Sequence, residues 1–363
     1  HYGATTQNII HTGLILILRS SHIQAMFRMT ECLKTLSKLS KKFSDHVMVA
    51  RTNGQHAMPI TFGFKISEWS EIILRFEERF YEIEKRLFIL IFGGAAGAMH
   101  SFKEKSEVLY KNLSKRLNLN ETEVCSRAVM DNLAEYTILC GHLGSVLSNM
   151  GRELNFYMRE EIQEVSEYLS SDVIGSSAMP QKINPKHVYA FVALAKDMEG
   201  YTLKGINMMD VQNEGDLAKH YYQVQTIKEV GPKLNILLED FNSLLKILRI
   251  NSKKMADNLE ITKGLIHSEN ITMSIASSIG KQKAYKIIKG IANEARGQKK
   301  DYRDLLLNNK LMRNILSKEE IFKLTKYKNN TGNSEKIAKR VSKITNIRAI
   351  KLETRIKKIN QII

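Results

Sequence analysis

WSEIILRFEERFYEIEKRLFIL, residues Trp69 to Leu90, places its large apolar side chains at three- and four-residue steps: Trp69, Ile72, Ile73, Phe76, Phe80, Ile83, Leu87 and Leu90. That is the period of an α-helix with one buried face, not the alternation of a strand. At about 1.5 Å per residue it predicts a rod of roughly 35 Å. The pattern returns at Leu143, Val146, Leu147, Met150 and Leu154. From Val188 to Ala195 the chain is apolar on nearly every side, which predicts a helix at the centre of a bundle, covered by neighbours or by other subunits. Only Pro59, Pro180, Pro185 and Pro232 interrupt these stretches. The expected fold class is all-α, a long central helical bundle with a smaller C-terminal helical domain.

The boundary is expected near residue 250. From about Asn251 the helical stretches shorten and become more basic, and Tyr327 to Ser334, with Asn329, Asn330, Gly332 and Asn333, reads as a loop. This predicts a central helical-bundle domain over 1–250, carrying the site, and the small domain over 251–363. The chain opens on His1 and enters a motif-like segment at once, so an N-terminal domain is expected to be missing upstream.

With 363 residues, 43% of them hydrophobic, the chain can bury a large core in two or three domains. No apolar run reaches the roughly 18 to 20 residues that span a bilayer. The best candidate, Leu87 to Met99, is broken by Gly93, Gly94 and Gly97. A soluble protein with no membrane partner is expected. Cys32, Cys125 and Cys140 form no C-x-x-C pair, which argues against a disulfide framework or a thiolate metal site and for a reducing cytoplasm. The 55 basic and 38 acidic side chains give a net charge of +17. The excess is scattered, with local runs at Lys38, Lys41 and Lys42 and from Lys351 to Lys358, and no aromatic platform accompanies it. A solvated surface with a modest pull on a small anionic substrate is therefore expected, and no nucleic-acid partner. Long helices with all-round apolar surface also predict association of copies.

Three irregular segments lie between the helical stretches: His1 to Thr12, Arg51 to Gly63 and Ser170 to Pro185. Irregular connections on a rigid scaffold are where chemistry usually sits. The last contains GSSAMPQKINP, Gly175 to Pro185. As local structure it reads as a polar loop running into a helix that Pro185 starts, with Asn184 as its cap. That explains two residues and leaves the others unexplained.

The whole run resembles the signature of the fumarase/aspartase superfamily: a glycine and two serines, then Met-Pro, then Lys and Asn-Pro at fixed offsets. HYGATTQNIIHTG from His1 and RTNGQHAMPITFGF from Arg51 are similar to the first two regions of that superfamily, as found in adenylosuccinate lyases and carboxymuconate cycloisomerases. The resemblance implies anti-elimination from a succinyl-type substrate, with release of fumarate or a related unsaturated acid. It implies Ser176 as general base, with Ser177 and Met179 beside it, and Lys182 and Asn184 meeting the charge that builds on the substrate carboxylate. Thr5, Thr6 and Gln7 would bind a carboxylate. Thr52, Asn53, Gln55 and His56 would line the substrate. It further implies a homotetramer in which the three segments meet from different subunits, and no metal or organic cofactor.

Some positions depart from the pattern. Asn53 stands where many relatives have a histidine on the acid side of catalysis, and Tyr189 where its glutamate partner would be. Either another group, such as His56 or water, protonates the leaving atom, or turnover is lost. Asn8 and His11 replace acids. Met130 and Asn132 replace arginines, and Asn213-Glu214-Gly215-Asp216-Leu217 has lost basic residues, which argues against a phosphate-bearing substrate. Gly93 to Gly97, Leu259 to Glu269 and Tyr327 to Gly332 extend the resemblance over nearly the whole chain.

Overall fold

The computed structural model describes residues 2–169 and 175–360. α1 (Thr6–Lys42) starts at a capping box, in which Thr5 Oγ1 accepts from the Asn8 amide and the Asn8 side chain accepts from the Thr5 amide. Two amides that a helix start would leave unpaired are satisfied in this way. β1 (Val47–Thr52) and β2 (Gln55–Thr61) form an antiparallel hairpin. Thr61 then caps α2 (Phe62–Leu87) by accepting from Phe64 N. α3 (Ser106–Leu117), α4 (Asp131–Tyr157) and the short β3 (Val165–Glu167) lead to α5 (Lys186–Glu199), α6 (Tyr201–Asn207) and α7 (Leu217–Ile247). After α7 the chain forms β4 (Leu248–Ile250), which pairs with β3, and α8 (Ser252–Glu260). Five short to medium helices follow, α9 (Ser268–Ile279), α10 (Lys281–Gln298), α11 (Tyr302–Asn308), α12 (Lys310–Ile315) and α13 (Lys318–Leu324), before the long α14 (Ser334–Asn360).

The all-α bundle expected from the apolar periods is the observed architecture. α2 buries Trp69, Ile73, Phe76, Phe80, Ile83 and Leu87 on one face, against residues from α1, α4, α5, α7 and α14 in a single core. The helix stops at Leu87 and not at Leu90, because the chain turns extended there and the Leu90 amide donates to Asn120 O at 2.9 Å. On α4, Leu143, Leu147, Met150 and Leu154 are buried. A Cβ on Gly144 would lie 2.8 Å from Glu199 N, and one on Gly151 would lie 2.7 Å from the Val192 side chain. The lack of side chains there lets α5 approach α4 more closely than alanine would permit.

Within one chain α5 turns Val188, Phe191 and Ala195 to the core and leaves Tyr189, Ala190 and Ala193 exposed. The stretch after residue 250 does not pack as one unit. Ile271, Ile275, Ile288, Ile291, Tyr302, Leu306, Met312 and Ile321 make a separate core, but Ala349, Leu352 and Ile356 of α14 belong to the central one. α14 returns because its apolar stripe and its arginines both match α1 and α2. Arg348 Nε donates to Glu77 at 2.7 Å, Arg355 pairs with Glu84, and Ser37 Oγ donates to Ser342 O at 2.8 Å. Among the described residues no helix is long and apolar enough to cross a membrane.

Candidate active site

The signature segment folds as a tight loop ahead of α5; Ser170 to Ile174, which begin the irregular stretch, lie outside the described residues. Ser176 Oγ accepts from Met179 N at 3.2 Å, Lys182 N donates to Met179 O at 3.0 Å, and Asn184 Nδ2 donates to Gly175 O at 3.0 Å. Asn184 therefore closes the loop neck and does not cap α5. Pro185 occupies the cap position with no side-chain bond, and a carboxylate from β3 supplies the cap: Glu167 accepts from His187 N at 2.9 Å and from Val188 N at 3.0 Å. Proline has no donor of its own, and the orphan amides that lie two and three residues further in are within reach of that carboxylate. Gly175 is required by the same neck, since a Cβ there would lie 2.6 Å from Lys182 O.

Met179, Lys182 and Asn184 border a cleft of about 560 Å³, together with Tyr189 and, from the end of α4 and the turn after it, Asn155, Arg159 and Gln163. Lys182 is exposed, Ser176 half-buried and Ser177 exposed. Two cations, Lys182 and Arg159, and one acid, Glu160, line this small polar cleft, a positive balance that suits an anionic ligand.

The second segment is the hairpin. Asn53 and Gly54 have φ of 51° and 75°, the pair of left-handed positions that a two-residue turn between twisted strands demands, and for which Asn-Gly is the favoured sequence. Thr52 and Gln55 face each other across the tip, and the register shifts by one residue between Ala50 and Arg51. The base of the tip is gripped from outside. Arg51 donates to Glu164 through Nη1 at 3.0 Å and Nη2 at 2.6 Å, and Asn258 Nδ2 donates to the same carboxylate at 2.8 Å. Thr52 lines a cleft of about 710 Å³ with Arg152 and Glu153. Gln55 and His56 line another of about 640 Å³ with Thr262 and Arg296. The His56 imidazole is held below its ordinary pKa, first by burial and then by the nearby Arg51.

The first segment starts α1. Thr5 is the helix cap, Thr6 is exposed, and Gln7 is buried against Arg127: Arg127 Nη1 donates to Gln7 Oε1 at 2.9 Å and Gln7 Nε2 donates to Arg127 O at 3.3 Å. One turn on, His11 is buried with both ring nitrogens unpaired, and burial followed by the charge of His220 pushes its pKa down to about 4. One chain thus brings Met179, Lys182 and Asn184 together and keeps Thr5, Thr6 and Gln7, and Thr52 to His56, in neighbourhoods of their own.

Sequence reasoning missed Arg159 and Gln163, which lie outside every motif-like segment, and the clamp residues Glu164 and Glu167. Only the Asn53-Gly54 turn carried a local signal, an Asn-Gly pair between alternating stretches.

A family model described as Lyase matches residues 1–198, more than half of the chain, and a second, described as Adenylosuccinate lyase C-terminus, matches residues 264–341. The chain belongs to the fumarase/aspartase superfamily of lyases. Among its relatives, an N-acetyl-S-(2-succino)cysteine lyase of Enterococcus italicus is 30% identical over 88% of this chain and 70% of its own length. An adenylosuccinate lyase of Methanocaldococcus jannaschii is 28% identical over 94% of this chain and 75% of its own. A crystal structure of 3-carboxy-cis,cis-muconate lactonizing enzyme from Pseudomonas putida superposes with a TM-score of 0.87 at 24% identity, over 96% of this chain and 78% of that one, a likeness of fold. Its relatives in this superfamily thus include succinyl-compound lyases, and its fold is that of a muconate-type enzyme.

Proposed function

We propose that this lyase performs anti-elimination on a succinyl-type substrate and releases fumarate or a related unsaturated acid. The observation that carries the reading is the signature loop itself, with Lys182 and Asn184 at the rim of a small cationic cleft. The proton removed lies next to a carboxylate and is weakly acidic. Ser176 takes it as general base, and Lys182 with Asn184 and the loop amides stabilises the charge that accumulates on the carboxylate oxygens, where fixed donors act most strongly in a closed, dry site. For that role Asn184 exchanges its bond to Gly175 O for one to substrate as the loop closes. Ser177 and Met179 shape the loop. Thr5, Thr6 and Gln7 hold a second carboxylate, and Thr52, Asn53, Gln55 and His56 line the leaving side.

These segments come together between protomers of a homotetramer. Ile9 and Ile17 of α1, Leu203 and Ile206 of α6, and Leu217 and Tyr221 of α7 are exposed apolar side chains, and copies of the chain would cover them. The free, buried Cys32, Cys125 and Cys140 suit a cytoplasmic enzyme. Adenylosuccinate-like chemistry is the first candidate for the reaction. The Asn53 turn supports a second reading, muconate-type cycloisomerase chemistry, in which His56 or water supplies the proton in place of the absent histidine.

The test is to mix the purified protein with a panel of succinyl adducts and follow fumarate by ultraviolet absorbance. Turnover that falls by roughly a hundredfold or more in Ser176→Ala is expected for a lost general base. No turnover on the panel, with the variant as stable as the parent, makes the chain a catalytically inactive member kept for binding or structure.

A further inference from the structure

The turn after α4 holds a residue that the chemistry above leaves without a task. Gln163 has φ of 50°, in the left-handed region that suits glycine and disfavours a long side chain. Its neighbours keep it there. Gln163 N donates to Arg159 O at 2.8 Å, Ile162 O accepts from Asn258 Nδ2 at 2.8 Å, and Glu164 is held by Arg51 and Asn258. Backbone strain maintained by surrounding contacts is found at functional sites more than elsewhere. Here it sets a hydrogen-bonding side chain on the wall of the cleft that Lys182 and Asn184 border. Arg159, four residues earlier, lines the same wall, with its guanidinium over the Phe156 ring at 5.3 Å from the centroid. Stacking of this kind leaves the planar fork free to present its edge to a carboxylate.

Lys182 and Asn184 are assigned to the half of the substrate that becomes the unsaturated acid. A second cation and a second amide lining the same cleft match a different group. We propose that Arg159 and Gln163 determine specificity by reading the departing half of the substrate, and that this half carries a carboxylate for Arg159 and an amide or amine for Gln163, as in an amino acid or N-acylamino acid joined through sulfur or nitrogen. The inference rests on the succinyl-elimination reading of the preceding subsection and, for the leaving group, puts an amino-acid adduct in place of the adenylosuccinate candidate named there.

Three probes test it by titration calorimetry on the full assembled protein carrying Ser176→Ala, so that ligands are not consumed: the S-succinyl adduct of N-acetylcysteine, the same adduct with the cysteine carboxyl as carboxamide, and adenylosuccinate. The carboxylate adduct binds roughly tenfold or more tighter than the carboxamide, as expected for a charge-assisted bidentate contact. Arg159→Ala erases that ratio and Arg159→Lys restores part of it. Gln163→Gly raises Tm by relieving the backbone while weakening both adducts. Equal affinity for the two adducts, a ratio unchanged in Arg159→Ala, or tightest binding of adenylosuccinate overturns the proposal. Fumarate alone is the control: binding that Lys182→Ala abolishes leaves the lyase reading standing when the adduct ratio fails, whereas fumarate that binds nowhere removes both.

Discussion

Replacing Glu164 by alanine removes the carboxylate on which the hairpin hangs. Its side chain is fully buried and accepts from both Arg51 terminal nitrogens and from Asn258 Nδ2, while the Arg51 side chain is only 10% exposed. The substitution leaves a nearly buried guanidinium without its carboxylate and takes from the Asn258 amide one of its two acceptors, the other being Ile162 O. Breaking such a pair from one side costs about 3–5 kcal/mol, most of it the penalty of an uncompensated charge. At roughly 2 °C per kcal/mol for a chain of this size, Tm should fall by about 6–10 °C in calorimetry. Amides of β1 and β2 should also exchange with solvent sooner than those of α2, since the loss is local. Glu164→Gln, which keeps one acceptor oxygen, should cost less. Arg51→Met with Glu164→Leu should recover much of the stability, because the charge left behind by the single change is then gone. A Tm within about 2 °C of the parent for Glu164→Ala would refute the reasoning.

Gly175→Ala puts a methyl group 2.6 Å from Lys182 O, so the loop neck opens. The fold should survive with Tm little changed, while fumarate production drops by at least about tenfold, and parental rates would show that the neck is not needed. His11 yields a pH dependence. Its folded pKa of about 4 lies below the ordinary 6.5 because of burial and then His220, so the unfolded chain binds the proton more readily. Stability is complete above about pH 6.5 and declines as pH falls toward 4. Denaturant titrations across that window should show a shallower decline in His11→Asn. It should not vanish, because His267 is likewise held down to about 4 by burial and by Arg303.

What could be read from the chain follows from how far each signal reaches. The stripe from Trp69 to Leu87 was legible because helix period is a local property, and the signature loop because its residues are contiguous. The destination of α14 was not: its apolar period is visible, but that Ala349 and Leu352 return to α1 and α2, about 300 residues earlier in the chain, depends on tertiary packing. Gln163 could not be singled out, since its interest lies in a backbone angle and in lining one cleft with Lys182. Glu167 was hidden for the same reason. A carboxylate 20 residues from the amide it caps leaves no mark in the spacing, and Asn184 was the plausible local choice.

That carboxylate fixes more than a helix end. β3 is tied to β4, with Tyr168 N donating to Ile247 O at 2.9 Å, and the last residue of β3 holds the first turn of α5. The start of α5, where the signature segment ends, is thereby stapled to β3 and through it to the far end of α7. The signature loop is thus pinned at its α5 end, and because Glu167 already neutralises the positive end of that helix, attraction for an anion falls to the side chains of the cleft and the amides of the loop.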